Sequence, residues 1–98
     1  MENILKGCTG FDWDEGNSDK NWLKHLVSKR ECEQVFFNKP IVIAQDEKHS
    51  QIELRYFLLG RTDNLRLLMI VFTVRDTLIR IISARDMSKK ERSIYEKE

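Results

Sequence analysis

Glycine is scarce in this sequence, and its scarcity excludes several kinds of site. Only four glycines occur in 98 residues, and they form neither a Gly-rich phosphate loop nor a Gly-x-Ser-x-Gly turn. Both motifs need glycine, because the backbone must approach a phosphate closely or turn sharply. We therefore predict no nucleotide cofactor and no hydrolase of the acyl-transfer type.

Cysteine and clustered metal ligands are scarce too. The two cysteines, Cys8 and Cys32, have neither the close spacing of a zinc site nor the density of a disulfide-stapled secreted domain. No His-x-x-x-His or carboxylate cluster has the spacing of metal ligands. We therefore predict reduced structural thiols, a cytoplasmic location, and a site without a metal or another cofactor.

Long apolar runs are absent as well. The longest one, residues 67–74, is far shorter than the roughly 18 residues of a membrane span. The N-terminus lacks the apolar core of a signal peptide. A chain of 98 residues suffices for one domain with one core. The prediction is a single domain over residues 1–98 that has no membrane partner.

The charges are unevenly distributed, although they nearly cancel. Residues 1–60 carry eight Lys or Arg and ten Asp or Glu, a net charge of −2, whereas residues 61–98 carry nine and six, a net charge of +3. A basic C-terminal half favours an anionic partner. The excess is far below that of a dedicated DNA-binding domain, so direct DNA contact is not expected.

The N-terminal half has the patterns of a short strand and two helices. The strand is predicted near residues 10–13 and the first helix over residues 14–25, with acidic residues at its positive end. Ser28 and Glu31 form a capping box, which predicts a second helix that starts at Lys29 and ends before the single proline. The apolar side of the first helix is predicted to consist of Trp22, Leu23 and Leu26.

After residue 40 the pattern changes to short runs of β-branched and aromatic residues, which predict four strands. The runs are joined by short polar segments, which favours antiparallel hairpins and leaves parallel pairing only to the short first strand. The run at residues 67–72 is apolar on both faces and predicts a central strand. The four strands are predicted at residues 41–44, 53–59, 66–74 and 78–84.

A second capping box, formed by Ser88 and Glu91, predicts a final helix that docks Ile94 and Tyr95 on the sheet. The fold class is therefore α+β. Two N-terminal helices and a C-terminal helix are predicted to pack on a four-stranded, mainly antiparallel sheet.

Arg80 and Arg85 interrupt the last apolar strand. A cation there must meet an acid, a carbonyl or a ligand anion. Their odd spacing puts the two side chains on opposite faces of the strand unless it bulges near Ser83. Arg80 is predicted to pair with an acid such as Glu53 or Asp46, or to bind a phosphate.

Arg85 lies at the end of the strand, next to the final helix. It is predicted either to hold a phosphate together with the N-terminus of that helix, or to be a surface residue near Asp86 or Glu91. His25 and His49 are further candidates, since imidazole can carry protons near neutral pH. Either histidine could also be structural, because the first ends a helix and the second lies in a polar loop.

Motifs along nearly the whole chain occur in the order and spacing of a known family. They include Phe11-Asp12-Trp13-Asp14, Asn21-x-x-Lys24-His25, Asp46-x-x-His49-Ser50-x-x-Glu53-x-Arg55, Gly60-Arg61, Arg80-Ile81-Ile82-Ser83-Ala84-Arg85 and Glu91-Arg92-x-x-Tyr95. With these motifs the sequence resembles the BrnT toxin family. The resemblance implies a bacterial type II toxin with a RelE-like fold, a ribonuclease that inhibits translation. It also implies neutralisation by a BrnA-like ribbon-helix-helix antitoxin, through which alone the complex would bind DNA.

RNA cleavage without a metal needs a base for the 2′-hydroxyl proton, cations for the phosphorane and an acid for the 5′-oxygen. Under the resemblance, the residues assigned to catalysis are Arg80, Arg85, His25 and Glu53. The residues assigned to RNA binding are Lys24, His49 and Arg61, with His49 an alternative to Glu53 as the base. We expect the two arginines and His25 or Lys24 to converge on one phosphate.

Two positions depart from the pattern of the family. Asn17 stands where the family has a lysine, and Leu26 stands where it has a glycine. Leu26 would be strained if its position needs a positive φ. These departures leave an alternative function open, a non-catalytic module that binds the antitoxin and acts as a corepressor. Arginines that hold separate acids would favour this alternative.

Overall fold

A five-stranded mixed sheet with three α-helices forms the fold in the computed structural model, which describes residues 2–49 and 52–98. The strands are β1 (Gly10–Phe11), β2 (Val42–Gln45), β3 (Tyr56–Arg61), β4 (Leu67–Arg75) and β5 (Leu78–Asp86). The helices are α1 (Lys20–His25), α2 (Lys29–Gln34) and α3 (Lys89–Tyr95), and short 3-10 turns lie at Glu2–Leu5 and Glu47–His49. Among the described residues, no helix has both the length and the apolar character needed to cross a membrane.

The strand order is β1-β5-β4-β3-β2, and β2 to β5 pair antiparallel as a meander. The prediction of a four-stranded sheet is wrong by one strand, because the short strand near residues 10–13 joins the sheet as β1. It pairs parallel with β5, through Gly10 with Leu78 and Phe11 with Ile79. The prediction that residues 67–72 form a central strand is confirmed.

Both faces of β4 are covered. On one face, Val35 and Phe36, which follow α2, pack against Ile70 and Phe72, and the rings of Phe36 and Phe72 meet edge to face at 5.2 Å. On the other face, Tyr95 of α3 packs in a smaller cluster with Leu59, Met69 and Met87. The Tyr95 hydroxyl also donates to the Pro40 carbonyl at 2.8 Å. Ile94 lies beside Val42 and Phe57 of the sheet but remains 45% exposed, so it docks less completely than Tyr95.

The first helix differs most from its prediction. It begins at Lys20, because residues 15–17 form a turn. Its predicted apolar side points outward: Trp22, Leu23 and Leu26 are 52%, 80% and 62% exposed, whereas Asn21 is 3% exposed. The reason is a hydrogen bond in which Asn21 Oδ1 accepts from the Ala84 amide of β5 at 2.8 Å. The side-chain amide of Asn21, which pairs with a backbone group at the edge of β5, therefore takes the inward position that an apolar residue was predicted to occupy.

Both predicted capping boxes are present, at Ser28 with Glu31 and at Ser88 with Glu91. Leu26 ends α1 with φ at 55°, so of the two possibilities left open for this position the structure has the positive φ.

A β-bulge in β5 decides which way the two arginines point. Val71 pairs with Ser83 and Phe72 pairs with Ile81, which leaves Ile82 as the extra residue. Ile81 and Ala84 are consequently both buried in the larger core cluster. The residues next to them, Arg80 and Arg85, therefore share the opposite face, as expected for a bulge near Ser83.

Candidate functional site: a basic groove

Four cationic side chains line one groove among the described residues. The groove lies at the end of the sheet where β4 turns into β5 and has a volume of about 170 Å³. The residues that line it are Gly16, Asn17, Lys20, Glu53, Arg55, Arg75, Arg80, Ile81 and Ile82. We call this surface the basic groove. Its cations come from four separate parts of the chain, so the fold itself assembles the site.

Arg80 is largely enclosed, with 14% of its side chain exposed against 50% of Arg75. Its two terminal nitrogens donate to the two carboxylate oxygens of Asp14, both at 3.0 Å, and Nη1 lies 3.5 Å from Oδ2 of Asp12. Hydrogen bonding to Asp14 raises the pKa of Arg80 above its usual value. The predicted pairing of Arg80 with an acid is confirmed, but the acids are Asp14 and Asp12, which the loop after β1 supplies, and not Glu53 or Asp46.

That loop is held by one buried asparagine. Asn17, 3% exposed, accepts from the Asp14 amide at 2.8 Å and donates to the carbonyls of Asp12 and Ile81, both at 3.0 Å. The Gly16 amide donates to Oδ1 of Asp14 at 2.7 Å. The hydrogen bonds from Arg80 and then Gly16 hold the pKa of Asp14 below its usual range. Asn17 thus fixes the backbone that carries the Asp14 side chain beside Arg80.

A second ion pair forms the opposite wall. Arg75 donates to Glu53 through Nε and Nη2, both at 3.0 Å. This bond lowers the pKa of Glu53, and the nearby charges of Arg75, Arg55 and Arg80 lower it further. The Thr73 hydroxyl donates to the Leu54 carbonyl at 2.6 Å, which ties the segment around Glu53 to β4. Glu53 is therefore ionised and fixed in place.

A second concavity adjoins the basic groove and shares Glu53 and Arg55 with it. It has a volume of about 310 Å³, and its other lining residues are Lys48, His49 and Ile52. The His49 Nδ1 lies 3.0 Å from Oδ2 of Asp46, which orients the ring. A histidine and a carboxylate thus lie along one surface with the groove cations.

The wall formed by α1 depends on the unpaired edge of β5. Because β1 pairs only with Leu78 and Ile79, the next part of this edge is satisfied by side chains. Asn17 donates to the Ile81 carbonyl, and Asn21 accepts from the Ala84 amide. Lys20 reaches the Ile82 carbonyl at 3.5 Å. The last contact places the Lys20 ammonium at the edge of β5, where Lys20 and Arg80 both line the basic groove.

The sequence was compared with protein-family models and with curated proteins. Residues 13–91 match the model of the family described as "Ribonuclease toxin, BrnT, of type II toxin-antitoxin system". The chain belongs to the BrnT family. No curated protein matches the sequence. The family makes this chain a ribonuclease toxin with an antitoxin partner, and the predicted resemblance is confirmed.

The residues assigned to the BrnT-like site do not all meet. Arg80 and Glu53 line the basic groove, and His49 lies in the concavity beside it. Arg85 instead donates to Glu91 of α3 at 2.8 and 2.9 Å. The expected convergence of Arg80 and Arg85 on one phosphate is wrong, because each holds a different carboxylate. Five residues of strand also separate them by roughly 15 Å. The alternative prediction for Arg85, a surface residue beside Glu91, is confirmed.

The other assigned residues lie away from the groove. Arg61 donates to the Lys39 carbonyl at 2.7 Å, near Pro40 and Tyr95. His25 lies at the end of α1, where its carbonyl accepts from Arg66 at 3.3 Å. Lys24 is exposed on α1.

Several groove residues of this BrnT-family chain were missed as site residues. Arg55 and Arg75 received no assigned role, although Arg55 stands in the motif that includes Glu53. Arg75 could have been found from alternation along β4, since Thr73 pairs with Arg80 and Arg75 is on the same face as Thr73. Within residues 2–49 and 52–98, no group of three or more His, Cys, Asp or Glu is placed to hold a metal ion.

Proposed function

We propose that this BrnT-family chain, with a RelE-like fold, is an endoribonuclease that cleaves RNA in the basic groove without a metal. The observation that carries the proposal is the groove itself, in which Arg75 and Arg80 approach from neighbouring strands and Lys20 approaches from α1. Cations fixed around one concave surface are suited to a phosphodiester, since they stabilise the charge that develops on its oxygens.

Two chemical roles remain besides charge stabilisation. A base must take the proton of the 2′-hydroxyl, so that its oxygen attacks phosphorus while the bond from phosphorus to the 5′-oxygen breaks. An acid must give a proton to that 5′-oxygen, which leaves a 2′,3′-cyclic phosphate and a free 5′-hydroxyl. We assign these roles to Glu53 and His49, because both border the concavity next to the groove. Arg80 is assigned to the phosphorane.

The ion pairs of the basic groove must open when RNA binds. Both terminal nitrogens of Arg80 already donate to Asp14, and Arg75 already holds Glu53. Asp14 is the mobile candidate of its pair, since 56% of its side chain is exposed against 14% of Arg80. A phosphate would therefore replace Asp14 on Arg80, and release of Glu53 from Arg75 would restore its basicity.

We also propose the biological setting. The family implies an antitoxin, and we propose that it is a BrnA-like ribbon-helix-helix protein that neutralises the toxin. The complex would bind its promoter through the antitoxin, and the toxin would act on RNA in the cytoplasm and inhibit translation.

The test is cleavage of a defined RNA by the purified chain. We expect products with 2′,3′-cyclic phosphate ends, at equal rates with and without EDTA. A matched RNA with a 2′-O-methyl group at the cleaved position should stay intact, because it cannot supply the attacking oxygen. Loss of cleavage in EDTA would overturn metal independence, and cleavage of the methylated RNA would overturn the assigned chemistry.

A second function, a non-catalytic antitoxin-binding module, is favoured by one observation. Arg80 and Arg85 hold separate carboxylates, as expected for arginines with a structural role. The two functions differ in one outcome: the module would bind antitoxin with normal affinity but leave RNA intact at any enzyme concentration.

A further inference from the structure

An apolar strip runs along the outer side of α1. In the described part of the chain, ten large apolar side chains are exposed, and three of them lie together, Trp22 and Leu23 on α1 and Leu26 directly after its last residue. Successive residues of a helix are rotated by about 100°, so Trp22 and Leu23 span roughly a quarter of its circumference. Exposed tryptophan and leucine grouped in this way mark an interaction surface more often than isolated apolar residues do.

The strip is not a side of α1 that could pack into the core if the helix rotated about its axis. The inward side of α1 is fixed by Asn21, which bonds the β5 edge, and by the buried Asn17 just before the helix. Rotating Trp22 or Leu23 inward would break these bonds and leave buried amide groups unsatisfied. The outward position of the strip is therefore built into the fold.

Charge complements the strip on one side. Lys20 and Lys24 lie roughly 60° and 100° around the helix from Leu23, and both are exposed. Lys20 also lines the basic groove. The order across the surface is thus apolar strip, lysine row and groove. A partner that covers both the strip and the lysines would need apolar side chains next to Asp or Glu.

We propose that this strip is the docking surface for the antitoxin, which would present an amphipathic segment with an apolar side and flanking carboxylates. The proposal rests on the antitoxin partner that the family implies. It also explains neutralisation, because a segment bound across Lys20 covers the mouth of the basic groove and competes with RNA for the same ammonium group.

The test uses the double variant Trp22→Ser/Leu23→Ser. The matched control is Phe37→Ser, which replaces an exposed aromatic side chain outside the strip, with 76% of its surface exposed. Binding of each purified chain to the antitoxin encoded beside the toxin gene is measured by calorimetry. We expect the double variant to bind roughly 30-fold or more weakly, since buried aromatic anchors dominate interfaces. The control should bind within about threefold of the wild type.

Two outcomes would overturn the proposal. One is antitoxin binding by the double variant within threefold of the wild type. The other is a wild-type chain that is dimeric alone and becomes monomeric in the double variant with unchanged antitoxin affinity, since the strip would then bind a second copy of the chain.

RNA cleavage by the free double variant separates this proposal from the proposed function. We expect cleavage at the wild-type rate, because neither substituted residue lines the groove. If the wild type binds antitoxin through the strip but leaves RNA intact, the ribonuclease mechanism fails and the docking surface stands. If the wild type cleaves RNA but the double variant binds antitoxin as tightly as the wild type, the docking surface fails and the ribonuclease mechanism stands.

Discussion

Arg80 and Arg85 show how two identical residues on one strand can serve different surroundings. Both share a face of β5 and both donate two hydrogen bonds to a carboxylate. Arg85 is joined to α3 through Glu91, six residues away in sequence, whereas the Arg80 partner, Asp14, is 66 residues away. Of these two arginines, Arg80 lines the basic groove and Arg85 does not.

These separations explain how far single residues could be predicted. Glu91 was anticipated as a partner of Arg85 because local spacing along a strand and a capped helix fixes that contact. The Asp14 contact depends on how the loop after β1 folds against the sheet, which no local periodicity encodes. Arg55 was missed for the same reason, whereas the alternation of side chains along β4 could have placed Arg75.

Asp14→Asn should increase the affinity of the groove for RNA. The amide keeps an oxygen for the Gly16 amide but removes the charge that competes with phosphate for Arg80. Because an exposed ion pair contributes little, we expect only roughly two- to fivefold tighter binding of a short RNA by fluorescence anisotropy. Glu91→Gln, which weakens the equivalent pair of Arg85, is the control and should leave RNA affinity unchanged. Weaker binding by Asp14→Asn would show that Asp14 assists the ligand.

At the scale of elements, the patterns with local causes were reliable. Both capping boxes and the central strand β4 are where they were predicted, because side-chain spacing alone specifies them. The first helix was misjudged, since amphipathic periodicity assumes that the apolar side faces the core. Here the unpaired edge of β5 is satisfied by hydrogen bonds from polar side chains of α1. The apolar residues of α1 therefore face outward.

Leu26→Gly should stabilise the protein. Leu26 has φ at 55°, a conformation that costs a residue with a Cβ about 1–2 kcal/mol. Since the side chain is 62% exposed, little packing is lost, and the entropy of glycine in the unfolded chain offsets part of the gain. We expect the free energy of unfolding in urea to rise by about 0.5–1 kcal/mol.

Asp76→Gly provides the comparison for this effect. Asp76 also has a positive φ, of 56°, but aspartate tolerates that conformation. Its substitution should change the free energy of unfolding by less than that of Leu26. Destabilisation by Leu26→Gly would mean that the exposed leucine makes contacts that matter more than its backbone strain.

At the scale of the whole molecule, ion pairs connect elements that are distant in sequence. Arg66 is the best connected: it donates to Glu31 and Asp86 and also to the carbonyls of His25 and Leu26. It thereby fastens the corner between α1 and α2 to the ends of β4 and β5. Burial alone would raise the pKa of Glu31, but hydrogen bonds from the Ser28 amide and Arg66 outweigh it and the pKa is lowered.

Stability should consequently fall in acid. The pKa values of Glu31, Asp86 and Glu91 are lower in the folded chain than in the unfolded one, so the unfolded chain binds protons first as the pH falls. Their contribution is complete above the usual carboxyl pKa of about 4 and is lost progressively below it. We expect urea unfolding curves at pH 5 and 7 to differ less than those at pH 3 and 5.

Arg66→Gln is the matched variant for this pH dependence. Without the guanidinium, the pKa values of Glu31 and Asp86 should move toward their usual values, so stability should depend less on pH between about 3 and 5. Equal slopes in the variant and the wild type would show that other carboxylates carry the acid sensitivity. The thiol of Cys32 does not contribute to this pH dependence, because burial raises the pKa of this free cysteine to about 12.

The most direct test of the site is the rate of RNA cleavage under single-turnover conditions in Arg80→Ala and Arg85→Ala. The pair is matched, because each variant removes a strand arginine that holds one carboxylate in two hydrogen bonds. We expect Arg80→Ala to cleave roughly 100- to 1,000-fold more slowly, the usual effect of losing one donor to a developing charge, and Arg85→Ala to stay within about threefold of the wild type. Equal losses in the two folded variants, or full activity in Arg80→Ala, would contradict the assignment of catalysis to the basic groove.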